Sequence, residues 1–293
     1  MLKAITVLAL SSFAFGLGSV PACYDQQNKN DKMVVENQNN SSGELKTLAE
    51  GSQSSITDPF VAVIRDDATY AKLQKMEPSL PQLETDFFRL NVVVAAFLGT
   101  RNTGGYSVEI SRVENGKIRV AEKAPPKGAM TTQVITSPFK LVSFATEGST
   151  AVELSVGETF HQRAQLYRIS SGSFNLSGGF TGSSQSFQLS GKLQVTRLGD
   201  LVTIGFALVS SGSSRERSLR SSATGVIKDG AIRIERLTHG SLLDPPSGEL
   251  KVSGKFLEKN RLTLELVSPP INVPESYSGR GSIEAELVAA SAN

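Results

Sequence analysis

Apolar and polar residues alternate along most of the chain after Phe187, in short segments that are separated by turn-forming residues. Because side chains on a β-strand point alternately to its two faces, this pattern predicts strands with one buried face. Leu198-Gly199-Asp200 and Asp229-Gly230 lie between such segments and predict tight hairpins. About eight strands joined mostly by short turns predict an all-β barrel or sandwich over residues 147–293.

The charge balance and the cysteine content exclude several classes of function. Lys and Arg total 30 and Asp and Glu total 28, so the formal net charge is +2. A chain this close to neutral lacks the basic surface that nucleic acid requires, and no nucleic-acid partner is expected. A single Cys excludes an internal disulfide framework and any zinc site built from several thiolates.

Residues suited to catalysis are few. The two histidines, His161 and His239, are not enough for a histidine metal cage. Ser241 and Asp244 lie beside His239, but three neighbours on one turn rarely reach the geometry of a catalytic triad. The sequence shows no phosphate-binding glycine loop, paired-histidine motif or acidic calcium loop. It therefore predicts a protein that is not an enzyme, with no catalytic residue, no metal site and no cofactor.

The N-terminus has the order of a secretory signal. Lys3 precedes an apolar run from Ala4 to Gly18, and Val20-Pro21-Ala22 leads directly to Cys23. The apolar run is too short to span a bilayer comfortably, so residues 1–22 predict a signal peptide. The sole cysteine at the expected cut resembles the lipobox of bacterial lipoproteins. That resemblance implies that Cys23 carries acyl chains such as palmitate and anchors the protein to the bacterial cell envelope, at the periplasmic face or the cell surface.

Residues 23–57 change to a polar composition rich in Gln, Asn, Lys and Ser. The segments Gln26–Asn30 and Asn37–Ser42 are typical of it. Such a sequence cannot bury enough apolar surface to offset the entropy that the chain loses on ordering. Beyond the lipidated Cys23, it predicts a disordered tether that holds the folded part away from the bilayer.

Residues 58–146 predict a small β domain of about five or six strands with one short helix. The helix is expected over Asp66–Lys75, where acidic residues lie at its start and Pro78 follows its end. The continuous apolar run Asn91–Leu98 predicts a central strand that is covered on both faces. Other strands are predicted at Phe60–Ile64, Tyr106–Ser111, Ile118–Val120, Gln133–Thr136 and Phe139–Phe144, with a hairpin turn at Asn115-Gly116.

Several short motifs follow one another in this region. They are Asp86-Phe87, Phe97-Leu98-Gly99, Thr103-Gly104-Gly105-Tyr106-Ser107-Val108, Pro125-Pro126 and Val134-Ile135-Thr136-Ser137-Pro138-Phe139. The set resembles the C-terminal domain of the PrcB family, which is named after a subunit of a bacterial surface protease complex. The resemblance covers about a third of the chain. It implies a class of partner, a secreted or surface protease, rather than a reaction.

One loop in this PrcB-like domain is the predicted partner-binding site. It consists of Arg101, Asn102, Thr103, Gly104, Gly105 and Tyr106. Two adjacent glycines permit positive φ and close approach of another backbone, and tyrosine is frequent at contact hot spots. Arg101 and Asn102 are expected to be exposed. A second interpretation stays open, because Tyr106 is in phase with the apolar residues of the next strand and its ring would then pack inward.

These patterns together predict a non-enzymatic, lipid-anchored envelope protein. Its PrcB-like domain is expected to bind a protein partner, as an accessory or stabilising subunit of a protease. Three alternatives stay open. The first is a protease inhibitor that uses the Asn102–Tyr106 loop, which resembles the Thr-Gly-Tyr loop of chagasin-type inhibitors. The second is a carrier of a small apolar ligand within the second β domain, and the third is a hydrolase of unrecognised type.

Overall fold

The computed structural model describes residues 44–288 except for 114–116, 147–150, 162, 179–182, 213–215, 240–241, 243–247, 259 and 274. The predicted signal peptide, Cys23, Ser241, Asp244 and the Asn115-Gly116 turn lie outside the described residues. The described chain is mainly β-structure, with fifteen strands and two α-helices, which confirms the fold class predicted from the sequence.

The first region contains two sheets and the helices. Its strands are β1 (Lys46–Gly51), β2 (Phe60–Ile64), β3 (Asn91–Phe97), β4 (Ser107–Arg112), β5 (Lys117–Lys123), β6 (Phe139–Ala145) and β7 (Glu153–Val156). Its helices are α1 (Asp67–Met76), a 3₁₀ helix (Phe87–Arg89) and α2 (Glu158–His161). An antiparallel sheet has the order β1-β6-β3-β2, and a second sheet has the order β4-β5-β7, in which β5 and β7 run parallel.

Strands β2 and β3 are buried on both faces. On one face Val63 and Val94 belong to the apolar layer that packs against the second sheet. On the other face Ala95 and Phe97 pack with Leu73 of α1. A strand that is covered on both sides needs apolar residues at every position, which explains the uninterrupted run that predicted β3.

Helix α1 begins and ends as its sequence predicts. Asp66 is the N-cap residue, and its Oδ1 accepts a hydrogen bond from the Thr69 amide at 2.8 Å. Tyr70 and Leu73 lie on the buried face, where they pack against the four-stranded sheet. The N-cap sets where the helix begins, and the spacing of its apolar residues sets which face packs on the four-stranded sheet.

The second region is a closed barrel of eight antiparallel strands. The strands are β8 (Gln165–Gly178), β9 (Ser183–Leu198), β10 (Leu201–Ser211), β11 (Arg217–Lys228), β12 (Ala231–Thr238), β13 (Glu249–Leu257), β14 (Arg261–Val273) and β15 (Glu275–Leu287). Each pairs with the next along the chain, and β15 closes the barrel on β8. The hairpin at Asp229-Gly230 has φ of 51° and 76°, the conformation that this dipeptide favours.

The barrel interior is filled by the protein's own side chains. The alternating apolar residues of each strand point inward, and Phe174, Phe187 and Phe206 are among the largest fully buried residues. Tight packing of this kind occupies the space that a ligand inside the second β domain would need. This interior therefore gives no support to the alternative of a small-ligand carrier.

The barrel also covers the free edge of β2. The Thr203 hydroxyl donates to the carbonyl of Val61, and the Thr224 hydroxyl accepts from the amide of Val63, both at 2.8 Å. The two hydroxyl oxygens lie 2.8 Å apart. An uncovered edge strand invites aggregation, so this threonine pair satisfies and protects the edge.

A shared apolar core and an arginine clamp join the two regions. Leu198 and Leu201 at the β9–β10 turn belong to the same buried cluster as Leu73 of α1. Arg236 of β12 is held by Glu249 and donates to the carbonyls of Arg65 and Phe88 at 3.3 and 2.5 Å. The division into folding domains at 58–146 and 147–293 stays a prediction.

Part of the predicted tether is ordered. Lys46–Gly51 forms β1, which pairs with the edge of β6, and Ile56 is buried in the core. Glu77 accepts hydrogen bonds from the Ser54 hydroxyl and the Ser55 amide at 2.6 and 2.5 Å. The expectation of disorder is therefore wrong for residues 46–57, because partners elsewhere in the chain supply the hydrogen bonds that a polar segment needs.

Candidate partner-binding loops

The loop after β3 begins with a backbone anchor. Gly99 has a φ of 72°, and a Cβ there would lie 2.5 Å from the carbonyl oxygen of Thr57. The Thr100 amide donates to that same carbonyl at 3.0 Å. Arg101 and Thr136 then exchange two backbone hydrogen bonds of 2.7 and 2.9 Å, as an isolated bridge. The start of the predicted binding loop is thus fixed to two neighbouring segments.

The Arg101 side chain is an internal clamp. Its Nε and Nη2 donate to the two carboxylate oxygens of Glu122 at 3.0 and 2.9 Å. Its Nη1 donates to the carbonyls of Leu98 and Thr100 at 3.0 and 2.9 Å. The side chains of Arg101 and Glu122 are only 17% and 20% exposed. The expectation that Arg101 is exposed is therefore wrong, because four hydrogen bonds turn its guanidinium toward the protein.

The ion pair also sets the ionisation of its acidic member. The Arg101 guanidinium lowers the pKa of Glu122 below its ordinary value of 4.5, and partial burial opposes this shift. The Thr159 hydroxyl, which comes from α2, donates to the same carboxylate and lowers the pKa further. Glu122 therefore stays charged and holds β5, α2 and the start of the loop together.

The two glycines of the loop have different surroundings. Gly104 is buried, its amide donates to the Thr132 carbonyl at 2.9 Å, and a Cβ there would collide with the Thr132 hydroxyl. Gly105 is exposed with a φ of 87°, and a Cβ there would lie 3.0 Å from the Pro125 ring. The positive φ favours glycine at Gly105, and a side chain at Gly104 would displace the Thr132 hydroxyl, because the loop packs closely against the segment that follows β5.

The remaining residues of the loop range from exposed to partly buried. Asn102 is exposed, and Thr103 is half-buried with its carbonyl accepting from the Thr136 hydroxyl at 3.0 Å. Tyr106 is half-buried and packs against the apolar layer between the two sheets. The Arg101 guanidinium lies 5.7 Å from the centre of the Tyr106 ring. Part of the Tyr106 ring therefore packs inward, and the rest of its surface is accessible to solvent.

The segment from Ala124 to Ile135 is the surface feature that sequence reasoning missed. It contains no strand, although Gln133–Thr136 was predicted as one; in that range only Thr136 takes part in a β-bridge. Met130 is fully exposed, and Val134 and Ile135 are 52% and 66% exposed. We name Asn102–Tyr106 and Ala124–Ile135 together the paired loops. The clustering of Met, Val and Ile around non-alternating polar residues was the available signal.

The candidate catalytic groups do not assemble a site among the described residues. His161 is exposed, and its Nδ1 lies 3.0 Å from the Gln194 side-chain amide. His239 is buried at the end of the β12 region. Within the described ranges, no group of three or more His, Cys, Asp or Glu side chains is placed to hold a metal ion. No helix among these residues is long and apolar enough to cross a membrane.

One of two comparisons with known proteins bears on the paired loops. A search of curated proteins found no match to this chain. A scan of protein-family models found a match over residues 92–145, which run from β3 to β6 and include both loops. The matched family is described as PrcB C-terminal, and this match confirms the resemblance that the motifs from Phe97 to Phe139 indicated.

Proposed function

We propose that this protein is a non-enzymatic, lipid-anchored envelope protein whose paired loops bind a protein partner, in the role of an accessory or stabilising subunit of a secreted or surface protease. The family match at residues 92–145 supports the class of partner. The observation that carries the proposal is the apolar surface of Met130, Val134 and Ile135 beside the exposed Gly105. Exposed apolar groups that cluster on one loop are typical of protein contact sites.

The geometry of the paired loops fits a docking surface better than a wedge. The Asn102–Tyr106 loop is held at both ends, and Gly104 within it is buried against Thr132. An inhibitor loop must project into a cleft, whereas this loop packs against the neighbouring segment at Pro125 and Thr132. In our proposal Arg101 positions the loop, and Asn102, Gly105 and Tyr106 join the apolar residues in the contact. Preorganisation of this kind lowers the entropic cost of binding.

The partner is tested by purification of the full-length protein from cross-linked envelopes. We expect a protease to co-purify and to keep or gain activity when the protein is present. A co-purified protease that the protein silences would support the inhibitor alternative instead. Recovery of no protease, or recovery that does not depend on the paired loops, would contradict the proposal. The variant Met130→Ser with Ile135→Ser supplies that comparison.

The anchor is part of the proposal and has its own test. The order of residues 1–23 supports lipidation of Cys23, which is the sole thiol. Cys23→Ser should release the protein from the membrane fraction and abolish its labelling with radioactive palmitate. Two acyl chains hold a protein far more firmly than one, so the change in location should be large. Unchanged, label-free membrane association would remove lipidation from the proposal.

A further inference from the structure

A cleft lies outside the barrel, between its outer face and the end of the first region. Its floor is formed by the outward-facing residues of β9, β10 and β11. In one row Ala207 of β10 lies between Lys192 and Arg220, and in the next row Gly205 lies between Gln194 and Ser222. The central strand thus contributes only small residues here, which leaves a furrow with polar and basic side chains along both sides.

The opposite wall of the cleft is apolar. Leu154 and Val156 of β7 line it together with Phe160 of α2, and Leu166 at the start of β8 lies at the side. The cleft has a volume of about 220 Å³. One water molecule occupies about 30 Å³ in the liquid, so the space corresponds to about seven water molecules and suits a body of roughly eight non-hydrogen atoms.

The charges at the cleft are predominantly positive. Lys192 and Arg220 lie two strands apart on either side of Ala207, a Cα separation of about 10 Å. Glu153 is the acidic residue of the lining, and it lies 3.4 Å from Lys117 and 3.7 Å from Arg220. Among the described residues no carboxylate forms an ion pair with Lys192. The field at the floor therefore favours an anion near Lys192.

We propose that this cleft binds a small amphiphilic carboxylic acid. Its apolar body lies between the furrow at Gly205 and Ala207 and the wall formed by Leu154 and Phe160. Its carboxylate is held by Lys192, with Arg220 on the other side of the furrow. A body of roughly eight non-hydrogen atoms with one negative charge matches the volume, the apolar wall and the basic floor at the same time.

The site is tested by photolabelling of the full-length protein with a pentanoic acid that carries a diazirine near its tail. Peptide mapping should place the label on the residues around Leu154, Phe160 or Ala207. Unlabelled pentanoate should compete for the site, and pentanol, which lacks the charge, should compete roughly tenfold less well. Ala207→Leu should abolish the labelling, because the new side chain fills the furrow.

Matched variants separate the cleft from general surface effects. Val209→Leu changes the next outward position on β10, outside the cleft, and should label like the wild type. Lys192→Gln should lower the apparent affinity roughly tenfold, whereas Arg168→Gln, which removes the exposed arginine directly opposite Lys192 on β8, should not. Label elsewhere, equal competition by pentanol, or an unaffected Ala207→Leu variant with a normal melting temperature would each overturn the proposal.

Discussion

The paired loops of the first region lie side by side but are built in opposite ways. The Arg101–Tyr106 segment turns most of its side chains toward the protein. The Arg101 guanidinium donates four hydrogen bonds, Gly104 is buried and Tyr106 is half-buried. The Ala124–Ile135 segment directs Met130, Val134 and Ile135 into solvent. The motif that most clearly marks the family therefore has a largely structural role. The neighbouring Ala124–Ile135 segment has a less distinctive sequence, and it exposes more apolar surface to a partner.

The largest effect on stability is expected from the ion pair between Arg101 and Glu122. Arg101→Ala leaves the Glu122 carboxylate and two carbonyls without their donor, and should lower the free energy of unfolding by about 2–3 kcal/mol, somewhat below the cost of breaking a fully buried ion pair. Denaturant unfolding measures it. Arg163→Ala is the control, because it removes an exposed pair with Asp58 and should cost less than about 1 kcal/mol. Equal losses of stability for the two variants would mean that the hydrogen bonds of Arg101 do not stabilise the fold as described.

A smaller effect is expected from the loop glycines. Gly105 and Gly128 have nearly the same φ, 87° and 83°, so replacement by alanine strains both backbones by about 1 kcal/mol. Only at Gly105 does the added Cβ meet Pro125, at 3.0 Å, whereas nothing lies within 4 Å of a Cβ at Gly128. Gly105→Ala should therefore have the lower melting temperature of the two. The reverse order would show that the loops do not pack as described.

The stabilisation by the ion pair between Arg101 and Glu122 is expected to depend on pH. Because the folded protein lowers the pKa of Glu122 below 4.5, its charged form stabilises the fold fully at pH values above 4.5. That contribution is lost as the pH falls from about 4.5 through the lowered pKa of the folded state. The stability difference between the wild type and Glu122→Gln should therefore shrink on acidification. A difference that stays constant down to pH 3 would contradict the ion pair.

Much of the architecture could be predicted because local patterns express it directly. Alternation from Phe187 onward gives the inward and outward faces of the barrel strands, and Asp229-Gly230 gives a hairpin. The apolar run of β3 reports burial on both faces. In each case the physical cause acts between neighbours in sequence, either through the two-residue period of a strand or through the φ that a turn requires.

The features that were missed depend on distant partners. β1 is polar, and it is ordered because β6 offers a free edge about ninety residues later. Arg101 is held by Glu122, 21 residues away on another strand, so its sequence neighbours suggested an exposed contact residue. The Gln133–Thr136 segment contains strand-forming residues, yet only Thr136 meets a partner backbone, at Arg101. Propensity cannot report such long-range contacts.

The affinity of the partner for matched surface variants tests the role of the paired loops most directly. Ile135→Ser and Leu90→Ser each remove one exposed apolar side chain, 66% and 56% exposed, and neither should change the free energy of unfolding by more than about 0.5 kcal/mol. Leu90 follows the 3₁₀ helix, outside the paired loops. With the protease recovered from cross-linked envelopes, Ile135→Ser should weaken binding about tenfold or more, and Leu90→Ser should bind like the wild type. Equal affinities for the two variants would contradict a contact at the paired loops.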